Sequence, residues 1–563
     1  WCPMQANARR TLQMRHGNSR RVIAMTGVAL ILGIVVACSR APAPASTTAA
    51  SAERPTVAPA VDLARVHADA PGIAWFNGDV DAAFKSAAAT NKPVLLYWGA
   101  QWCPPCKQLK SAVFSRPDFI EKSKLFVAVY LDGDLPDAQK YGDEFRVTGY
   151  PTVVVFKPDR TEITRIAGNM DLSLYAGVLD DALADVRPVK EVIDLAVKAD
   201  APLSSADCRR LAYHAFDLED EGVFESARLQ TAFENAARVC PADLAKERAR
   251  LHILAAIEAS SQQKEAIEKG GKADKALTVL IVRVNELLSN KELAMANEDA
   301  LRGLRSEFFL AARQTVPQVA PSLRERMMAI ADATTANPLF APADQLAAQL
   351  MKIRVSKAFA ADGKVPTDIR SVALATSTKM LDVKQDPYVR AGVVNSAINI
   401  YLALDDLERA RDLLTLESTT SNTPYYYLGD LADVEEELGN KAHALELLAD
   451  AYAKAKGPAS RFQWGYNYLD GLLRIAPDDL ATIEKVGVVV IGELDGPNRV
   501  HRRTLSRLTK LDNTLREWNT TPERAAVVAK FRTRVAQACG KSPGGVSTDA
   551  GCQGFGLPAA VKG

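Results

Sequence analysis

The stretch Gly99-Ala100-Gln101-Trp102-Cys103-Pro104-Pro105-Cys106-Lys107, GAQWCPPCK, places two prolines between two cysteines. Such a pair is a redox couple, half a metal site or a structural bridge. Upstream, Pro93 to Trp98 (PVLLYW) reads as a buried strand, and Cys103 opens a run with Leu109, Val113 and Phe114 on one side, the spacing of a helix. Consecutive prolines break a helix interior, but in the first turn their missing N–H groups have no intrahelical partner to lose, so Pro104 and Pro105 fit a helix start. In that turn the two sulfurs come within bonding distance while only the first faces solvent. Exposed N–H groups and the helix dipole stabilise a thiolate there, which predicts a depressed pKa at Cys103.

The other two readings are weaker. Zinc takes four ligands, commonly from two paired motifs, and the chain has one such motif. The histidines, His16, His67, His214, His252, His443 and His501, lie far from it in sequence and form no ligand pair. Two thiolates suit copper, which leaves metal delivery as the remaining metal reading. A loop so tight is a poor structural staple.

Outward from this stretch, residues 66–188 alternate between helix and strand. Ala82 to Ala89 reads as helix, Leu125 to Leu131 as strand and Asp137 to Phe145 as a short helix. Thr152 to Phe156 and Glu162 to Ile166 read as strands, and Asp171 to Leu183 as a closing helix. Parallel crossovers followed by an antiparallel hairpin predict an α/β layer fold. From 189 to 538 the β-rich runs all but disappear and helical patterns take over. Ala410 and Ala444, like Leu414 and Leu448, recur at the tetratricopeptide period, with Gly439 and Ala451 at further small positions. Repeats of this kind are expected around 390–456, in a multidomain protein whose α/β domain precedes a large all-α region. A general helical bundle is the alternative.

The chain has 563 residues, room for several domains. Its 69 basic and 68 acidic residues give no charge excess that points to nucleic acid. Arg20-Arg21 precede the apolar run Val22 to Ala37, the pattern of an export segment or of an uncleaved anchor. Val35-Val36-Ala37-Cys38 resembles the lipobox of bacterial lipoproteins, which implies cleavage before Cys38, lipidation of Cys38 and, with Ser39 next, sorting to the outer membrane. Met14 opens a basic leader, so residues 1–37 read as an over-extended start plus signal peptide; a longer leader is the alternative. The Ala-, Pro- and Ser-rich residues 38–65 read as a tether.

Cys2 lies upstream of the expected start, and four cysteines remain once Cys38, Cys103 and Cys106 are set aside. In an oxidising compartment they suggest two disulfides. Cys208 and Cys240 bound two amphipathic runs with a turn signal between them, so an antiparallel helix pair brings them together. Cys539 and Cys552 flank a Gly-, Ser- and Pro-containing loop in the 539–563 tail. Buried thiols are the alternative for either pair.

The order strand, Trp102-Cys103-Pro104-Pro105-Cys106-Lys107 opening a helix, Gly149-Tyr150-Pro151-Thr152 before the next strand, and Gly168 ahead of the last helix resembles the thioredoxin superfamily, particularly its envelope-facing thiol:disulfide members. The resemblance implies Cys103 as nucleophile and Cys106 as resolving thiol. It also implies a cis proline at Pro151, with Tyr150 and Thr152 beside the client backbone and Trp102 as a wall by the sulfurs. Pro104, Pro105 and Lys107 are supporting residues, Lys107 as an electrostatic aid to the thiolate or simply as a solvated lysine. The dipeptide lacks the histidine of strongly oxidising relatives, which favours a reductase or isomerase. Tyr97 stands where thioredoxins often place a buried aspartate, six residues before the nucleophile; Asp132 or Asp134 are substitutes, though both read more simply as loop-solvating. No bound cofactor or metal is implied. The expected partners are disulfide- or thiol-bearing client proteins, an envelope electron donor, and the membrane through Cys38, with the protein facing the periplasm. A second reading makes the helical region an adaptor and the redox domain a docking module.

Overall fold

The computed structural model of the chain describes residues 72–135, 138–147, 149–166, 172–183, 187–199, 202–219, 223–421, 423–495 and 500–540. The export segment, Cys38, the tether, Gly168 and Cys552 lie outside the described residues. Among those described, no helix is long and apolar enough to cross a membrane.

The chain runs α1 (Val80–Thr90), β1 (Val94–Gly99), α2 (Pro104–Leu109, continued by a π turn at Lys110–Phe114), α3 (Pro117–Ser123), β2 (Val127–Asp132), α4 (Ala138–Glu144), β3 (Thr152–Phe156), β4 (Glu162–Ile166) and α5 (Leu172–Leu183). The sheet order is β2-β1-β3-β4, with β1 parallel to β2 and antiparallel to β3, and β3 antiparallel to β4. This is the α/β layer expected from the sequence, closed by its hairpin. The strand expected from Leu125 begins at Val127; Leu125 itself is 49% exposed and precedes the sheet.

β1 and β3 are unbroken apolar runs because both faces of the sheet are covered. Successive side chains point to opposite faces. Leu95, Tyr97, Val153 and Val155 enter a core that continues into helices as far as Ala358. Val94, Leu96, Trp98, Val154 and Phe156 enter a second core, shared with helices between Leu346 and Trp464. From Val189 to Gly540 the described residues are all-helical apart from turns, and a third core spans Phe462 to Ala538. Ala410, Leu414, Ala444, Leu448 and Ala451 are buried, where helices Leu407–Thr420 and Lys441–Lys454 pack on helix Pro424–Glu437 between them.

Two devices fasten the fold. Arg165 on β4 is buried between Glu162 and Glu219 and donates to the carbonyls of Phe145, Arg146 and Leu218. Cys208, in helix Ser205–Tyr213, and Cys240, which caps helix Ser226–Val239, form a disulfide across that helix pair. Cys539 is also disulfide-bonded.

Candidate functional site

β1 carries the chain to Gly99, and a short turn through Ala100 and Trp102 delivers Cys103 as the N-cap of α2. Its backbone is extended, φ −80° and ψ 114°, and its Sγ accepts the Cys106 N–H at 3.2 Å. Pro104 and Pro105 occupy the first helical positions, where they cost no hydrogen bond. Cys103 thus takes the capping place usually held by a serine or aspartate oxygen, and its sulfur lies against a first-turn N–H group. Both sulfurs are thiols. Lys107 is half-buried on α2.

The Tyr150–Pro151 peptide bond is cis. Tyr150 stacks on Trp98 at 6.0 Å and meets Trp102 edge-on at 5.7 Å. Thr152 is buried, its Oγ1 donating to the Gly149 carbonyl at 3.0 Å. Trp102, Cys103, Cys106 and Tyr150 therefore share one cluster. Tyr97 is buried on the other face of β1, stacked on Tyr130 at 5.1 Å. Burial, then the neighbouring Cys106, pushes its phenol well above the usual range, so it stays protonated beside the resolving sulfur.

Two expectations are overturned. The first sulfur does not face solvent: Cys103 is 3% exposed and Cys106 0%. The cause is the helical region, whose helix Pro387–Ala403 packs directly on α2, with Gly392 against Gln108. Nor do Asp132 and Asp134 simply solvate a loop, since Asp132 is buried and Asp134 is half-buried with its carboxylate taken up by protein donors. The Trp102 Nε1–H donates to Asp134 Oδ2 at 2.6 Å, and Ser460 Oγ, from helix Pro458–Ile475, donates to the same carboxylate at 2.8 and 2.9 Å. Asp132 Oδ1 accepts the Asp134 N–H at 3.0 Å. Desolvation outweighs these donors and the nearby Arg503, and holds the Asp134 pKa above the ordinary carboxylate value.

Other distant residues complete the enclosure. Tyr426 packs on Trp102 at 6.0 Å, the Arg503 guanidinium lies 4.5 Å over the Tyr150 ring, and the Arg502 N–H donates to Asp143 at 2.9 Å. None of these was singled out from the sequence. The one local signal is the run Tyr425-Tyr426-Tyr427 opening helix Pro424–Glu437, in which Tyr425 and Tyr427 are buried and Tyr426 is only half-buried.

Glu162, His214 and Glu219 bring three potential metal-ligand atoms together. Arg165 already takes the place of a cation there, ion-paired with both glutamates. Its backbone N–H donates to His214 Nδ1, which leaves Nε2–H for Glu219. The cluster is a compensated buried network.

A family model described as a thioredoxin-like domain matches residues 80–183. Thioredoxin of Mycolicibacterium smegmatis is 30% identical over 94 residues, covering 17% of this chain and 81% of the relative. The chain belongs to the thioredoxin family. A rice H-type thioredoxin is 32% identical over 98 residues, covering 17% of this chain and 75% of the relative. The thiol:disulfide interchange protein DsbD of Pseudomonas fluorescens is 31% identical over 101 residues, and there the match spans 17% of each protein. The family thus accounts for the α/β layer with the dithiol, and its thiol–disulfide chemistry is consistent with the Cys103/Cys106 arrangement. The large helical region lies outside the residues 80–183 that the family model matches.

Proposed function

We propose that this thioredoxin-family protein is a cell-envelope thiol:disulfide oxidoreductase that reduces or isomerises client disulfides through Cys103 and Cys106. The observation that carries the reading is the capping geometry: the first sulfur accepts a helix N-terminal N–H at 3.2 Å, an interaction that strengthens when the acceptor is a thiolate. Cys103 Sγ attacks one sulfur of a client disulfide; that S–S bond breaks, a mixed disulfide forms, and the departing sulfur takes up a proton. Cys106 then loses its proton and attacks Cys103 Sγ, releasing the second client thiol. Two electrons pass to the client, and the resulting Cys103–Cys106 disulfide is re-reduced by an external dithiol donor. The Trp102 and Tyr150 rings wall the sulfurs, and Tyr97 offers a hydroxyl rather than a carboxylate beside Cys106.

The lipobox-like Val35 to Cys38 supports lipid anchoring at the outer membrane, facing the periplasm. The adaptor reading draws support from one observation, the burial of both sulfurs.

Equilibrating the protein against dithiothreitol and glutathione couples tests the choice, because an equilibrium titration does not depend on how fast the site is reached. A reversible two-electron couple near about −270 mV makes it a reductase, and one near about −120 mV an oxidant. No reversible couple leaves the adaptor reading. Cys103→Ser abolishes electron transfer under the first reading and leaves adaptor function intact under the second.

A further inference from the structure

The face of the thioredoxin-like layer through which a client reaches Cys103 is occupied by the chain's own helices. Four of them contribute: Pro387–Ala403 lies on α2, Pro424–Glu437 brings Tyr426 onto Trp102, Pro458–Ile475 brings Ser460 to Asp134, and Arg502–Trp518 brings Arg503 over Tyr150. Of the contacted residues, Trp102 and Tyr150 share the cluster of the two sulfurs, and Asp134 holds the Trp102 indole. We infer that helices Pro387–Ala403, Pro424–Glu437, Pro458–Ile475 and Arg502–Trp518 form a lid that seals the dithiol from protein disulfides in the resting chain, and that turnover requires its displacement.

The chemistry of the contact favours opening over permanent burial. Its centre is a half-buried carboxylate held by Ser460 and Trp102, and a charge with part of its hydration lost recovers that cost poorly compared with apolar packing. Where the lid meets α2 and Asp134, close approaches are made by Gly392 and by Gly457, the latter at φ +83°, beside the apolar core that Val393, Val394, Ala397 and Ile398 share with the α/β layer. Arg503 is only half-buried, and a cation over a ring is a modest contact at such a site.

The inference rests on the redox reading for its purpose but not for its test. The full chain, its Ser460→Ala and Arg503→Gln single variants, and a Ser460→Ala/Tyr426→Ala/Arg503→Gln triple variant are treated with a polyethylene-glycol maleimide. Modification is followed on the peptide carrying Cys103 and Cys106. The native chain is expected to react at least about 100-fold more slowly than in urea. The triple variant is expected to react at least about tenfold faster than the native chain, equivalent to 1.4 kcal/mol of lost closure. Far-UV circular dichroism establishes that the variants are folded; if the triple variant is not, each folded single variant must still react faster than the native chain. A native rate equal to that in urea, or folded variants no faster than native, overturns the lid. Opened variants that show no reversible couple retain the lid while removing the oxidoreductase reading, so the two failures are distinguishable.

Discussion

Removing the Cys208–Cys240 disulfide tests how much of the helical region is held by a covalent restraint. The bridge closes a loop with a sequence separation of 32 between helices Ser205–Tyr213 and Ser226–Val239. The chain-entropy relation gives about 12.4 cal/mol/K for a loop of that length, or about 3.7 kcal/mol at 25 °C. Both sulfurs are buried, so truncation to alanine adds a packing loss of about 1 kcal/mol per site. Cys208→Ala/Cys240→Ala should therefore lose about 4 to 6 kcal/mol of unfolding free energy, read from urea titration by circular dichroism. The same comparison on fully reduced proteins separates the two contributions. Reduction opens the native bridge, so the difference between native and variant should shrink to the packing part, while the disulfide at Cys539 is opened in both and cancels. A loss below about 1 kcal/mol in the oxidised pair, or a difference unchanged by reduction, would refute the loop-entropy reasoning.

Two further outcomes are expected. Arg165→Met leaves Glu219 and three buried carbonyls without their cation, and should cost about 3 to 5 kcal/mol in urea titration; a loss under about 1 kcal/mol would show that the network is not a staple. Asp134 has a folded pKa above its reference value of 3.8, so its neutral form is the one favoured on folding, and its contribution is lost as pH rises through the folded pKa. Asp134→Asn, neutral at every pH and able to pair with Ser460 and Trp102, should gain stability relative to the native chain on going from pH 4 to pH 7.5, measured by thermal melts. A gap that does not widen in that direction would count against a strained carboxylate.

Much of the α/β layer was legible because its signals are local. The apolar runs at 94–98 and 152–156, the Pro-Pro helix start and the helix over Ala82 to Ala89 each reflect a backbone preference contained within a few residues. The π turn at Lys110–Phe114 was not legible, since its residues read as a continued helix. The burial of Cys103 was missed for a different reason. Its covering residues lie some 280 to 400 positions downstream, and Ser460 and Arg503 have the ordinary look of helix residues. Asp134 was misread because an aspartate after a strand usually faces water, and the donor Ser460 that takes up its carboxylate comes from far downstream. Tyr97 in the place of a carboxylate was visible at once, but its second partner, Tyr130, came only with the register of β1 on β2.

The sequence separation between the dithiol and its cover has a consequence in time. Arg503 follows Lys107 by about 400 residues, which at about 5 to 20 residues per second takes roughly 20 to 80 seconds to synthesise. For about the first 280 of those residues none of the covering helices has been made, and Cys208 and Cys240 emerge while the dithiol is bare. The youngest molecules are thus the most reactive ones, and the last helices to be made end that reactivity. A chain cut short before Pro387 would keep the chemistry of its infancy.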